Sequence, residues 1–157
     1  MERCGYLRCT YNMQHNVSGS SLQKKVLLIV ASEALRERIS HLLRKVGLQI
    51  QVAANGKQVI AQARNLHPDL LLLQVHLPDI DGIEVCRQLR RDPRTLLLPI
   101  VIVSEKDDIQ DALLGLDAGA DDYLRLPRYS PSEVIERIRA ILAREAKILD
   151  QKIKIVD

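Results

Sequence analysis

The sequence predicts an α/β domain built on a doubly wound parallel sheet of five strands, in the order 2-1-3-4-5. From Lys24 onward, short apolar runs alternate with amphipathic segments, which is typical of repeated strand–helix units. Two runs, residues 26–30 and 70–73, are continuously apolar and rich in Leu, Ile and Val, as in strands buried on both faces. Because crossovers between parallel strands are right-handed, five such units favour this strand order.

The first half of the domain predicts two strand–helix units. The first strand is residues 26–30, and Ser32 is placed to cap the helix that follows it, which ends before Gly47. The second strand covers residues 48–53, and Asn55 caps the next helix. Each helix carries one apolar stripe: Leu35, Ile39, Leu42, Leu43 and Val46 in the first, and Val59, Ile60, Ala63 and Leu66 in the second.

Three further units complete the predicted fold. Their strands are residues 70–75, 99–104 and 123–126; their helices stop before Pro93, run from Asp107 or Asp108 through Ala118, and begin near Pro131. The inward stripe of the third helix consists of Ile83, Val85, Cys86 and Leu89. Cys86 is therefore expected in the core and not as a nucleophile.

Composition narrows the class of protein. The chain has 157 residues, 46% of them hydrophobic and 27% charged, with a net charge of +3. These values predict one compact domain with a tail, and exclude disorder throughout. No dense Lys/Arg block is present and only 3% of residues are aromatic, which argues against direct nucleic-acid contact by this domain. The apolar runs are far shorter than the ~20 residues of a membrane span, and the N-terminus lacks an apolar signal stretch. We expect no membrane contact and a cytoplasmic location.

We expect three parts along the chain: a disordered N-terminal extension over residues 1–23, a domain over residues 24–144, and a helical arm or linker over residues 145–157. The extension ends in Ser18-Gly19-Ser20-Ser21, a flexible linker composition. The arm is predicted from a seven-residue repeat of apolar residues, typical of a short coiled coil. Its two series are Val134, Ile141, Ile148 and Ile155, and Ile135, Leu142, Leu149 and Val156. Glu145 and Lys152 interrupt the other core position of that repeat, and residues 152–156 also alternate like a strand.

The cysteines predict neither a disulfide framework nor a metal site. Cys4 and Cys9 lie in the polar extension, and Cys86 is the third cysteine of the chain. Cys4, Cys9 and His15 lack the fourth ligand of a tetrahedral site. No metal and no cofactor are therefore predicted.

Ligands of doubly wound sheets bind beyond the carboxyl ends of the strands. Six residues close the first, third, fourth and fifth predicted strands: Ala31, Ser32, Gln74, His76, Ser104 and Leu126. No Gly-rich phosphate loop follows the first strand, and no His stands beside a Ser or Cys in the manner of a catalytic pair. These residues therefore predict a ligand site that lacks the side-chain arrangement of an enzyme active site.

Three stretches carry a resemblance to a known family: residues 68–82, 99–104 and 115–124. The first reads Pro-Asp-Leu-Leu-Leu-Leu-Gln-Val-His-Leu-Pro-Asp-Ile-Asp-Gly. In order and spacing they resemble the third strand, the fourth strand and the passage into the fifth strand of response-regulator receiver domains. The resemblance covers residues 24–144 and implies a CheY-like (βα)5 fold of flavodoxin-like topology, acting in two-component signal transduction.

The resemblance also implies a phosphorylation site, and this chain departs from it. The family's phosphoacceptor Asp corresponds to Gln74, and its Mg²⁺-binding acidic pair to Ala31 and Ser32. Glu33 could replace one acid. The family's Lys before the fifth-strand Pro corresponds to Leu126. The switch hydroxyl and the switch aromatic residue are present as Ser104 and Tyr123.

These departures predict a site that is inert to phosphorylation. The neutral amide of Gln74 is a very poor nucleophile, and an Ala, a Ser hydroxyl and an amide cannot replace three carboxylates on Mg²⁺. The losses agree with one another, because Leu126 removes an ammonium that would otherwise lie unpaired near a site without carboxylates. We therefore interpret the chain as a pseudo-receiver, a protein-interaction module that needs no phosphorylation and is not an enzyme.

Alternatives remain at this stage. An atypical phosphotransfer receiver would use Glu33 and Asp79, although Asp79 and Asp81 are expected to shape their loop. The chain could also be the input half of a transcription factor whose DNA-binding domain lies outside it. A small molecule could occupy the neutral pocket, where Gln74, Ser104 and Ser32 remain polar.

An interaction face is also predicted, formed by the fourth helix, the fifth strand and the fifth helix. Its residues are Leu113, Leu114, Asp121, Asp122, Glu133 and Arg137. The acidic pair and the residues of the last helix resemble the dimerisation face of receivers attached to winged-helix DNA-binding domains. Packing within the domain is the simpler explanation for either leucine, whereas exposure of the pair would favour a protein partner or a homodimer.

Overall fold

The structure, a computed structural model, describes the backbone of residues 24–156 and the side chains of residues 24–126 and 128–144. Five strands and five α-helices alternate along this part of the chain. They are β1 (Lys25–Ile29), α1 (Glu33–Lys45), β2 (Gln49–Val52), α2 (Gly56–Leu66), β3 (Leu70–Gln74), α3 (Gly82–Arg91), β4 (Ile100–Ser104), α4 (Ile109–Asp117), β5 (Asp122–Arg125) and α5 (Pro131–Val156). The prediction for residues 1–23 lies outside the described residues.

All five strands are parallel and lie in the order β2-β1-β3-β4-β5, which confirms the predicted fold class and topology. The three central strands are buried almost throughout, as expected for strands that have helices on both faces. No helix among residues 24–156 is long and apolar enough to cross a membrane.

Successive side chains of each strand point to opposite faces of the sheet, so the core is divided into two clusters. Leu27, Leu71 and Ile102 face the side covered by α2, α3 and the end of α4. Leu28 and Leu72 face the opposite side, which α1 and α5 cover. A side-chain period of two thus produces two apolar layers from one continuous apolar run.

The predicted helix ends are largely confirmed. Ser32 and Asn55 cap α1 and α2 through their side chains, and Asp108, the second of the two predicted candidates, caps α4. Gly119 follows α4 with φ +108, a conformation that favours glycine.

Three differences from the prediction concern the core or the site, and most of the other strand ends differ by one residue. Leu66 was expected on the inward stripe of α2, yet it is 45% exposed at the last residue of that helix, where the chain turns away through the left-handed His67. The third strand ends at Gln74, one residue earlier than expected, because Val75 leaves the ladder to accept a hydrogen bond from the backbone N–H of Gly82 at 2.7 Å. The fifth strand ends at Arg125, and Leu126 begins a short 3₁₀ helix, Leu126–Arg128. Pro127 in this turn has no N–H to donate to a strand ladder.

The last helix, α5, is continuous from Pro131 to Val156. Its first part is anchored on the sheet by Val134, Ile135, Ile138, Ile141 and Leu142, all buried. The coiled-coil prediction for residues 145–157 depends on side chains that lie outside the described residues.

Candidate functional site

The ends of β1, β3, β4 and β5 meet at one edge of the sheet. Ile29 is in register with Leu73, Gln74 with Val103, and Ser104 with Arg125. The loops that follow these strands therefore converge, and the predicted site residues Ala31, Gln74, Ser104 and Leu126 all lie at this edge, close to the strand-order reversal between β1 and β3.

Gln74 connects two of these loops directly. Its side-chain oxygen Oε1 accepts a hydrogen bond from the backbone N–H of Ala31 at 2.7 Å. Gln74 is half-buried at the last position of β3, whereas Ala31 is exposed just after β1. A neutral amide thus joins the end of β3 directly to the loop after β1.

The neighbouring positions add little charge to this site. Ser32 uses its hydroxyl as the N-cap of α1, accepting a hydrogen bond from the N–H of Leu35 at 3.4 Å. Glu33 is the first residue of that helix and is exposed. Within residues 24–126 and 128–144, no group of three or more His, Cys, Asp or Glu side chains is arranged to hold a metal ion.

Ser104 and Tyr123 lie on the neighbouring strands β4 and β5, where Tyr123 is in register with Ile102, two residues before Ser104. Ser104 is 3% exposed, and its Oγ accepts a hydrogen bond from the N–H of Lys106 at 3.1 Å. Tyr123 is turned inward and is 6% exposed. Burial raises the pKa of its hydroxyl, and the nearby Ser104 side chain lowers it by a smaller amount. The Tyr123 oxygen has no partner at full hydrogen-bond geometry among the described residues, so the contact with Ser104 is a weak one.

Leu126 lies partly buried against the core layer formed by α1 and α5. Two cationic side chains, Arg125 and Arg128, lie close to Leu126 in the sequence. Arg125 Nη1 lies 2.8 Å from Asp107 Oδ1, and Arg128 Nε lies 2.8 Å from Asp107 Oδ2. Sequence reasoning missed both arginines, although their positions beside Leu126 were the available signal. Each is paired with the carboxylate of the β4–α4 loop.

The two loop acids after β3 have structural partners. Asp79 accepts hydrogen bonds from the backbone N–H groups of Gly56 at 2.8 Å and Lys57 at 3.0 Å, at the start of α2. The hydrogen bond from Gly56 is the main cause that holds the pKa of Asp79 below its ordinary value. Asp81 caps α3 by accepting from the N–H of Ile83 at 2.8 Å. These contacts agree with the prediction that the acids shape their loop.

His76, in the loop after β3, lies near α4. Its Nε2 lies 3.9 Å from Asp111 Oδ2, and the side chain is 57% exposed. It therefore contributes to the link between the β3–α3 loop and α4, and among the described residues no hydrogen bond or ion pair joins it to Gln74 or Ala31.

The apolar residues of α4 are exposed. Leu113 is 62% and Leu114 47% exposed, so packing within the domain does not explain the pair. Ile109 and Leu116, which the sequence analysis did not single out, are also exposed. Their i, i+4, i+7 spacing with Leu113 was the available signal. The helix thus presents an apolar surface, which we call the α4 face and define as Ile109, Leu113, Leu114 and Leu116.

The charged residues beside the α4 face are paired within the chain. Asp121 Oδ2 accepts hydrogen bonds from Arg90 Nη2 at 3.0 Å and from the N–H of Ile100 at 2.8 Å. Asp122 pairs with Arg137 at 2.9 Å. Glu133 accepts from the backbone N–H of Ser130 at 3.0 Å, while the Ser130 hydroxyl accepts from the N–H of Glu133. The latter pair is a capping box that starts α5.

Comparisons with known proteins agree with this geometry. Residues 26–139 match the response regulator receiver domain family. The chain is 40% identical over 123 residues to the alkaline phosphatase synthesis transcriptional regulatory protein PhoP of Bacillus subtilis, a match that covers 78% of this chain and 50% of that protein. It is 39% identical over 124 residues to the DNA-binding response regulator MtrA of Mycolicibacterium smegmatis, covering 79% of this chain and 53% of that protein.

Among solved structures, a putative response regulator from Chloroflexus aurantiacus is similar to this chain with a TM-score of 0.74 and 34% identity, covering 77% of this chain and 98% of that one. The chain belongs to the response regulator receiver domain family. It is a receiver of the two-component type. The chain spans about half the length of the curated relatives that it matches.

Proposed function

We propose that this receiver is a pseudo-receiver, which regulates by protein contact and does not accept a phosphoryl group. The observation that carries the proposal is the hydrogen bond from the N–H of Ala31 to Gln74 Oε1. It engages the amide that stands at the position of the family's acceptor carboxylate. The amide cannot form an acyl phosphate, and the neighbouring Ser32 hydroxyl caps a helix instead of offering a carboxylate to Mg²⁺.

Leu126 supports the same proposal. Little else at this edge of the sheet offsets the charge that develops on a phosphoryl group during transfer, because the receiver family's Lys is replaced by an apolar side chain. Two of the cations near this edge, Arg125 and Arg128, are already paired with Asp107. A non-enzymatic function follows from this set of residues.

The competing function is an atypical phosphotransfer receiver that uses Glu33 and Asp79. The hydrogen bonds from Gly56 and Lys57 to Asp79 disfavour it, because they occupy both oxygens of that carboxylate. Calorimetric titration with Mg²⁺ tests the two functions. For a pseudo-receiver we expect no saturable Mg²⁺ binding, and we expect Glu33→Gln to leave the titration curve unchanged. Saturable one-to-one binding that Glu33→Gln removes would support the competing function.

We further propose that the α4 face, with β5 and α5 beside it, is the surface that contacts a protein partner or a second copy of the chain. Exposed apolar patches of this kind mark interaction sites. The Asp121, Asp122 and Glu133 side chains beside this face are already paired within the domain. No direct nucleic-acid or membrane contact is assigned to the domain.

Sedimentation over a range of concentrations tests the homodimer. We expect association that Leu113→Asp together with Leu114→Asp removes. Leu97→Asp is the matched control, because Leu97 is 73% exposed but lies in the loop before β4, at the opposite edge of the sheet. A monomer mass that does not change with concentration would exclude the homodimer and leave a different protein as the partner.

A second candidate function is the input domain of a transcriptional regulator. Two relatives are described as a transcriptional regulatory protein and a DNA-binding response regulator, and this chain matches about half of each. In that case α5, which ends the described chain at Val156, would connect the receiver to its output domain. Sequencing the native gene beyond the codon for Asp157 tests this directly, since an in-frame DNA-binding domain is expected there.

A further inference from the structure

The β4–α4 loop is joined to the end of β5 by one carboxylate and two arginines. Asp107 Oδ1 lies 2.8 Å from Arg125 Nη1, and both Asp107 oxygens accept hydrogen bonds from Arg128 Nε, at 2.9 and 2.8 Å. Arg125 is only 20% exposed, and its buried Nη1 atom lies at ion-pair distance from Asp107 without the geometry of a hydrogen bond, while Asp107 is 38% exposed. The three side chains therefore form a partly desolvated cluster with one anion and two cations.

We propose that Asp107, Arg125 and Arg128 form an ionic latch, which fixes the β4–α4 loop and the start of α4 in one position without phosphorylation. The latch deepens the proposed function, since it supplies the constitutive structure on which a pseudo-receiver rests. The contacts of the latch are present whether or not the site at Gln74 accepts a phosphoryl group.

The latch acts at the point where it can control α4. Asp107 immediately precedes Asp108, whose side chain caps α4 by accepting from the N–H of Gln110 at 2.9 Å. Among the described residues, no other hydrogen bond or ion pair connects residues 105–107 to a different strand or helix. Ser104 accepts from Lys106 and so orders the loop only locally. Holding Asp107 therefore holds the first turn of α4 and, with it, the orientation of the α4 face.

The charges of the cluster make the latch cooperative. Asp107 separates two cations that are three residues apart, so its removal leaves like charges close together and one of them poorly solvated. Loss of either arginine leaves one complete ion pair. We therefore expect Asp107 substitutions to loosen the loop more than Arg128→Ala does.

Hydrogen–deuterium exchange of the intact chain tests the latch. In Asp107→Ala, amides of residues 105–112 should exchange about two- to fivefold faster, the upper part of the range that solvent-exposed ion pairs support. Amides of β3 should be unchanged, which shows that the domain remains folded. Asp117→Ala is the matched control, because Asp117 is an exposed carboxylate at the other end of α4 and has no ion pair among the described residues.

Charge reversal separates pairing from local damage. Asp107→Lys alone should exchange rapidly in the same segment, and Asp107→Lys combined with Arg125→Glu and Arg128→Glu should restore slow exchange. The latch is wrong if Asp107→Ala exchanges within twofold of the wild type, or if the triple variant is no slower than Asp107→Lys. Phosphoryl acceptance by the wild type, measured separately, would reject the pseudo-receiver and leave the exchange result intact, so the two failures are distinguishable.

Discussion

The side-chain oxygen of Gln74 lies 2.7 Å from the backbone nitrogen of Ala31, and this hydrogen bond joins β3 to the loop after β1. It stands where the receiver family is expected to bind a metal ion, and it provides a direct connection between the same two segments. The site is therefore organised as a neutral junction.

Removing this junction should destabilise the domain modestly. Gln74→Ala leaves the Ala31 N–H without its acceptor, and we expect a loss of about 1 kcal/mol in the free energy of unfolding, measured by urea denaturation. Gln74→Glu keeps an oxygen at the same position and should lie within about 0.5 kcal/mol of the wild type at neutral pH. Equal stability of Gln74→Ala and the wild type would show that the hydrogen bond contributes nothing.

Restoring one carboxylate should not restore a working site. Gln74→Asp alone supplies an acceptor without a metal or a Lys, so we expect neither Mg²⁺ binding nor phosphorylation. A variant with Ala31→Asp, Ser32→Asp, Gln74→Asp and Leu126→Lys should gain both. Asp at position 32 can still cap α1, so the helix should survive the change. Phosphorylation of Gln74→Asp alone would contradict this account of the pocket.

Acid should destabilise the domain through Asp92. Hydrogen bonds from the side chain and backbone of Arg94 lower the pKa of Asp92 from 3.8 to about 2. Because the folded-state pKa is depressed, the stabilisation is present above pH 3.8 and is lost as the pH falls toward about 2. Asp92→Asn should flatten this part of the urea-midpoint profile measured from pH 5 to pH 2, while Asp117→Asn should not. Parallel profiles for the wild type and Asp92→Asn would contradict the role of Asp92 in acid destabilisation.

A methyl group should not fit at Gly82. A Cβ there would collide with the backbone oxygen of Gln74 and meet the Cα of Val75 at 3.0 Å. Both are backbone atoms at the end of β3, so relief requires the strand end to move. We expect Gly82→Ala to cost roughly 1–3 kcal/mol, measured by thermal or urea unfolding. Arg87→Ala, on the exposed side of the same helix, should change stability by less than about 0.5 kcal/mol.

The sequence predicted the strand order and most of the elements because their signals are local and redundant. The apolar runs of β1, β3 and β4 are buried on both faces, and the caps Ser32 and Asn55 lie where the polar residues predicted them. Leu66 was misplaced because a periodic stripe identifies one side of a helix and does not reveal how far along the helix that side stays covered.

The site was predictable as a set of residues but not as a set of contacts. Register brought Ala31, Gln74 and Ser104 to one edge, as the parallel topology requires. The Gln74–Ala31 hydrogen bond and the Asp107–Arg125 pair involve side-chain conformations and separations of many residues along the chain, which no periodicity encodes. The exposure of Leu113 and Leu114 likewise depends on how α4 lies on β5.

Phosphoryl transfer tests the central claim most directly. The wild-type chain and the variant with three Asp and one Lys restored would be incubated with acetyl phosphate and Mg²⁺, and their intact masses measured over time. We expect the restored variant to gain the mass of one phosphoryl group, sensitive to hydroxylamine, and the wild type to gain nothing. A hydroxylamine-sensitive phosphoryl group on the wild-type chain would contradict the pseudo-receiver.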